Sequence, residues 1–144
     1  VIGQGRTDQV IPVIRKVALL NFLLIGGAVL ISALIPSLLI SVYTSDQELV
    51  KQTVPSFYVI MSALLLFSFS SILFNGVSGT ANTATALMIE VVTIVVYLIV
   101  AYILAVGLRL SIEQVWASEY VYFLVLGGLS YLYLRSGRWK KKKV

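Results

Sequence analysis

A chain of 144 residues that is 59% hydrophobic and only 12% charged departs from soluble proteins, in which about a quarter of residues are charged. It has no Cys and no His, which removes disulfides, thiolate nucleophiles, zinc sites of the usual kind and imidazole acid–base chemistry. Its net charge of +5 comes largely from the tail Arg138-Trp139-Lys140-Lys141-Lys142-Lys143; directly after an apolar stretch, such a tail reads as an anchor facing anionic lipid, not nucleic acid.

The chain starts without Met and without a signal-peptide pattern. Val1-Ile2 before Gly3-Gln4-Gly5-Arg6 reads as the last turn of a helix leaving a membrane, so further residues are expected before Val1. Within residues 8–16, Val10, Ile11, Val13 and Ile14 sit among polar neighbours, the pattern of a short interfacial segment. Residues 1–16 thus form one unit, ahead of a membrane part at 17–135 and a basic tail at 136–144.

Four uncharged runs follow, Val17 to Ser45, Gln52 to Ile89, Val91 to Leu108 and Tyr120 to Leu134. A helix rises about 1.5 Å per residue, so about 20 apolar residues cross the hydrocarbon core. Lipid offers the backbone no hydrogen-bond partners, and runs without strict alternation exclude a β-barrel. The fold class is therefore all-α and polytopic, with spans expected at 17–42, 54–75, 85–107 and 118–135.

In the first span, Pro36 removes the bond to the Ser32 carbonyl and should bend the helix. Gly26 and Gly27 permit close helix contact, which makes Pro36, Gly26 and Gly27 the candidate hinge. Pro55 suits the first turn of the second span. Further along, Ser68, Ser71 and Asn75 recur at three and four residues, with Met61 and Leu64 on the same side. The Ser70 hydroxyl is expected to bond back to its own helix. The uncharged turn from Asn75 to Thr83 carries two glycines but no following Lys and no preceding strand, so it is not a phosphate loop.

Asn82 and Thr83 are candidate caps of the third span. Glu90 is the one ionisable residue embedded in a span, about 9 Å from its expected start. Intramembrane acids are costly and tend to be functional, although an acid at this depth can also snorkel to the interface. Thr83, Ala86, Glu90, Thr93, Tyr97 and Ala101 share one face, while the rest of the helix is Val, Ile and Leu. A polar stripe of this kind packs on another helix or lines a wet cavity. Glu90, Thr93, Tyr97, Asn75, Ser71 and Ser68 are the candidate substrate or ion pathway. Ser118 is expected to cap the fourth span, with Glu119 favourable at its N-terminus. Tyr43, Phe57, Tyr58, Trp116, Tyr120, Tyr122, Tyr131, Tyr133 and Trp139 lie near span ends, as interfacial anchors do.

Four passes place both ends on one side. That side holds Arg6, Arg15, Lys16, Arg135, Arg138 and Lys140 to Lys143, against Lys51 and Arg109 opposite. The positive-inside rule then makes both ends cytoplasmic.

The turn Phe74-Asn75-Gly76-Val77-Ser78-Gly79-Thr80-Ala81-Asn82-Thr83 resembles the loop between the tenth and eleventh helices of multidrug and toxic-compound extrusion (MATE) transporters, with Ala81 where many members carry a second glycine. Ile2-Gly3-Gln4-Gly5-Arg6 is similar to a shortened form of the family's exit from helix eight. Tyr43-Thr44-Ser45-Asp46-Gln47-Glu48-Leu49 resembles its turn after helix nine. The ending from Trp116-Ala117-Ser118-Glu119-Tyr120 to Arg138-Trp139-Lys140 also looks familial. The resemblance covers the whole chain. It implies helices nine to twelve of a twelve-helix, two-lobed antiporter of the bacterial inner membrane, which exports cationic or amphipathic compounds against sodium or protons. It further implies the preceding helices of the same protein and the bilayer as partners, with no cofactor beyond the coupling ion. In several members the coupling acids lie on helices seven, eight and ten or in the N-terminal lobe, but the tenth-helix equivalent here has none, so Glu90 is a candidate from its own position alone.

Other readings remain beside this one. A lipid-linked saccharide flippase of the same superfamily would show more Arg and Lys within its spans. A complete four-helix multidrug transporter would show weaker charge bias. An accessory subunit would act by helix packing alone. An enzyme is not expected, since no paired acids or nucleophile–base pair lie at one depth.

Overall fold

The computed structural model describes residues 6–80 and 82–141, apart from the side chains of Thr7 and Lys141. The helix exit expected at residues 1–5, Ala81 of the turn, and Lys142 and Lys143 of the tail lie outside the described residues. Among the described residues there is no strand. Among these residues four helical segments are long and apolar enough to cross a membrane, Val10–Leu34, Gln47–Ser78, Thr83–Gly107 and Ile112–Ser136. The protein is all-α, and its hydropathy points to a multi-pass membrane protein.

Each segment starts earlier than the uncharged runs suggest. A 3-10 turn at Thr7–Gln9 leads directly into α1, Val10–Leu34, so residues 10–16 are helical and continuous with the first span. Pro12 causes no break because it sits in the first turn, where the backbone N–H groups have no helical acceptor. At the far end, Ile35 leaves helical geometry with φ −131° and ψ 43°, and Pro36 opens the short helix α2, Pro36–Ser41. The Ser32 carbonyl, which Pro36 cannot serve, accepts from the Ile35 N–H at 3.2 Å instead.

The second crossing, α3, Gln47–Ser78, begins at a cap the apolar pattern does not reveal. Asp46 Oδ1 accepts from the N–H groups of Glu48 at 2.9 Å and Leu49 at 3.3 Å. Pro55 consequently lies inside the helix rather than in its first turn. At 32 residues α3 extends about 48 Å, more than the hydrocarbon thickness of about 30 Å. Helix α4, Thr83–Tyr102, continues into a π-helical turn at Ile103–Gly107, and the chain then reverses through Arg109 at φ 51°. Ser111 and Gln114 form a reciprocal capping box on the short helix α5, Ile112–Val115. Ser118 therefore does not cap the last crossing. It is the first residue of α6, Ser118–Ser136, and is buried.

The core lies between helices. Val77 from α3, Ala86 and Ile89 from α4, and Leu126 and Leu134 from α6 form one buried cluster. Helix α6 packs on α3 and α4, and α1 packs on α3. The closest approach is at Gly127, where an added Cβ would lie 2.5 Å from Ser70 Oγ. Ser70 Oγ donates across to the Phe123 carbonyl at 2.6 Å, so it bridges helices rather than bonding back to its own. Small residues at such contacts let backbones approach where lipid gives no hydrophobic drive between helices.

Candidate functional site

Helices α4 and α6 run antiparallel and share a polar seam. The α4 face toward α6 buries Ala86, Ile89 and Thr93, while Leu87, Met88, Val91, Val95 and Leu98 are exposed on its other side. The Thr93 hydroxyl donates to the Ile89 carbonyl at 2.8 Å, which satisfies it within its own helix. Glu90 is half-buried, in the second turn of α4. The phenol of Tyr122 on α6 lies within electrostatic reach of both Glu90 and Glu119.

One end of the seam is tied by Asn82, whose amide donates to the Tyr133 hydroxyl at 2.9 Å. At the other end the Tyr97 hydroxyl lies close to Ser118 and Glu119 at the start of α6. The Tyr97 and Tyr122 rings meet edge to face at 5.7 Å, and Tyr122 packs likewise on Phe123 at 5.3 Å. Beside Tyr97, a cavity of about 350 Å³ opens between Leu110, Ile112 and Trp116. Ser130 Oγ is fully buried on α6 with no hydrogen-bond partner among the described residues. Buried polar atoms are rarely left unpaired, so this hydroxyl is an exception within the helix bundle.

The stripe on α3 goes elsewhere. Ser68 is fully buried and donates to the Leu65 carbonyl at 2.6 Å, while its own carbonyl accepts from Asn21 of α1 at 2.7 Å. Ser71 is half-buried and Asn75 is exposed near the end of α3. Glu90, Thr93 and Tyr97 therefore share a helix packed on α6, whereas Ser68 belongs to the α1–α3 contact. The hinge candidates separate as well. Helix α1 breaks immediately before Pro36, but a Cβ added at Gly26 or Gly27 would meet nothing within 4 Å.

Tyr122, Tyr133, Ser118 and Glu119 complete the seam from the α6 side. Sequence reasoning assigned the two tyrosines to interfacial anchoring and Glu119 to the helix dipole. Their spacing held the signal, since Ser118, Tyr122, Leu126, Leu129 and Tyr133 follow four- and three-residue steps on one face of α6.

The chain is 25% identical over 143 residues to a Thermotoga maritima protein described as "Probable multidrug resistance protein NorM". This similarity is distant but continuous. It covers 99% of the chain and 31% of the relative, so the chain spans about a third of that protein's length. No family model and no solved structure matches the chain.

Proposed function

We propose that the chain is the C-terminal part of a MATE-type antiporter, helices nine to twelve of twelve, exporting cationic or amphipathic compounds in exchange for sodium or protons. The observation that carries this reading is the similarity to the NorM-described protein along 99% of the chain. Both ends would then face the cytoplasm of a bacterial inner membrane, the side holding most of the Lys and Arg. Alternating access would rock this lobe against one built from the preceding helices.

Within the lobe, the α4–α6 seam is the place for charge to act. An ionised Glu90 would attract the coupling ion or a cationic substrate, and a protonated or ion-bound Glu90 would release its competitor. The Tyr122 phenol would sense the change directly, and Tyr97, packed on that ring, would carry it toward Glu119. The test is dye efflux by the complete protein under imposed sodium or proton gradients. Glu90→Gln should lower gradient-driven export about tenfold at unchanged surface expression. Wild-type rates in the variant would remove Glu90 from the mechanism. Failure of the unmutated protein to export any cationic dye would overturn the efflux reading itself and return attention to a flippase or an accessory subunit.

A further inference from the structure

We infer that the end of the bundle where α1 begins and α6 ends carries a binding site for one anionic phospholipid, its acyl chain in a groove between α1, α3 and α6 and its phosphate held by Arg15, Arg135 and Lys140. The groove has a volume of about 650 Å³, and Leu19, Phe69 and Leu73 line its apolar part. The same cavity is bordered by those three cations, and none of them forms an ion pair among the described residues. A hydrocarbon floor with an unneutralised basic rim is complementary to an amphiphile bearing a negative head. Guanidinium groups match phosphate oxygens in a fork geometry, and two of the three cations are Arg.

The sequence builds this rim at the right depth. Arg15 stands just before the uncharged run that starts at Val17, and Arg135 just after the run that ends at Leu134. These two therefore mark the border between hydrocarbon and headgroups on neighbouring helices. Lys140 is brought back by a local device. Gly137 adopts φ 66° and ends α6, and the chain folds over so that Trp139 is buried with its indole N–H donating to the Leu134 carbonyl at 2.9 Å. The Lys140 ammonium then lies 5.5 Å from the centre of that indole, beside the groove. Ile14 and Leu134, both lining the groove, lie over Gly76 of α3. The opposite end of the bundle shows no such excess, since Lys51 and Arg109 are accompanied there by Asp46, Glu48, Glu113 and Glu119. The inference depends on the membrane placement of the four helices and is independent of what is exported.

The test uses the complete protein in phosphatidylcholine nanodiscs, titrated with phosphatidylglycerol and read by native mass spectrometry for retained lipid. The unmutated protein should retain phosphatidylglycerol over phosphatidylcholine, and inorganic phosphate at millimolar concentration should not displace it. Replacing Arg15, Arg135 and Lys140 together by Gln should weaken retention about tenfold or more. A charge-matched control replacing Arg6, Lys16 and Arg138 by Gln should change it less than about twofold. Equal losses in the two triple variants would reduce the effect to diffuse surface charge and overturn the site. Displacement by inorganic phosphate would overturn the lipid assignment. Absence of preference in the unmutated protein, as when another segment of the protein fills the groove, would overturn the inference without reliance on any variant's folding.

Discussion

Two stretches of the chain carry paired glycines within a span, Gly26-Gly27 in α1 and Gly127-Gly128 in α6, and the fold uses them in opposite ways. At Gly127 the Ser70 Oγ, Cβ and Cα would lie 2.5, 3.2 and 3.4 Å from an added Cβ, so α3 and α6 touch nearly backbone to backbone. At Gly26 and Gly27 an added Cβ would meet nothing within 4 Å. The difference shows what a small residue does in a membrane helix. It permits contact but does not create it, and the contact forms where a second helix also offers a small side chain able to bond across. Ser70 supplies that partner by donating to the Phe123 carbonyl. Nearby, the Ser62 hydroxyl and the Tyr120 phenol join the same two helices.

The strongest way to break this contrast is to fill the contact. Gly127→Leu should destabilise the complete protein by about 3 kcal/mol, because the new side chain displaces the short Ser70 side chain and has the α3 backbone directly behind it. Gly128→Leu, one position on, faces open space and should cost little. Thermal unfolding in detergent, followed by size-exclusion chromatography, compares the two. Equal melting temperatures would show that α3 and α6 are not in close contact. A smaller effect separates two serines of similar appearance. Ser70→Ala removes a bond between helices and should cost about 0.6 kcal/mol, the average for such bonds in a membrane. Ser68→Ala removes only a bond to the Leu65 carbonyl of its own helix and should lie within a few tenths of a kcal/mol of zero. The reverse order would exchange their roles.

Those two serines also show how far the sequence was readable. Charge-free runs gave the four crossings, because lipid leaves a backbone few alternatives to the helix. Their boundaries were harder to read. Asp46, Ser111 and Gly137 determine where helices begin or end, and each acts through local geometry that hydropathy does not register. Partnership was hardest of all. Periodicity places Glu90, Thr93 and Tyr97 on one face but is silent about which helix covers it, so the α6 side of the seam went unassigned. For the same reason Ser70, taken to bond within its helix, proves to bridge two, whereas Ser68, placed on the pathway stripe, bonds to the Leu65 carbonyl of its own helix. Tyr122 and Tyr133 matched the span-end positions of membrane anchors, yet here they turn toward α4. A stripe encodes direction along one helix, whereas a site needs the register between two.

The smallest predicted effect sharpens the comparison from its open side. Gly26→Ala adds a methyl group that touches nothing among the described residues, so no steric cost is expected. Alanine also lowers the backbone entropy lost in forming a helix, a gain of about 0.5–1 kcal/mol in water and less where the unfolded reference is already helical in lipid. The complete protein carrying Gly26→Ala should therefore melt at or slightly above the temperature of the unmutated protein. Gly26→Leu extends the same logic to a larger side chain and should still leave the melting temperature nearly unchanged. A loss comparable to that of Gly127→Leu would mean that another part of the complete protein packs on α1 at Gly26. The two glycine pairs would then do the same work against different neighbours, and the contrast between them would be a property of this segment alone.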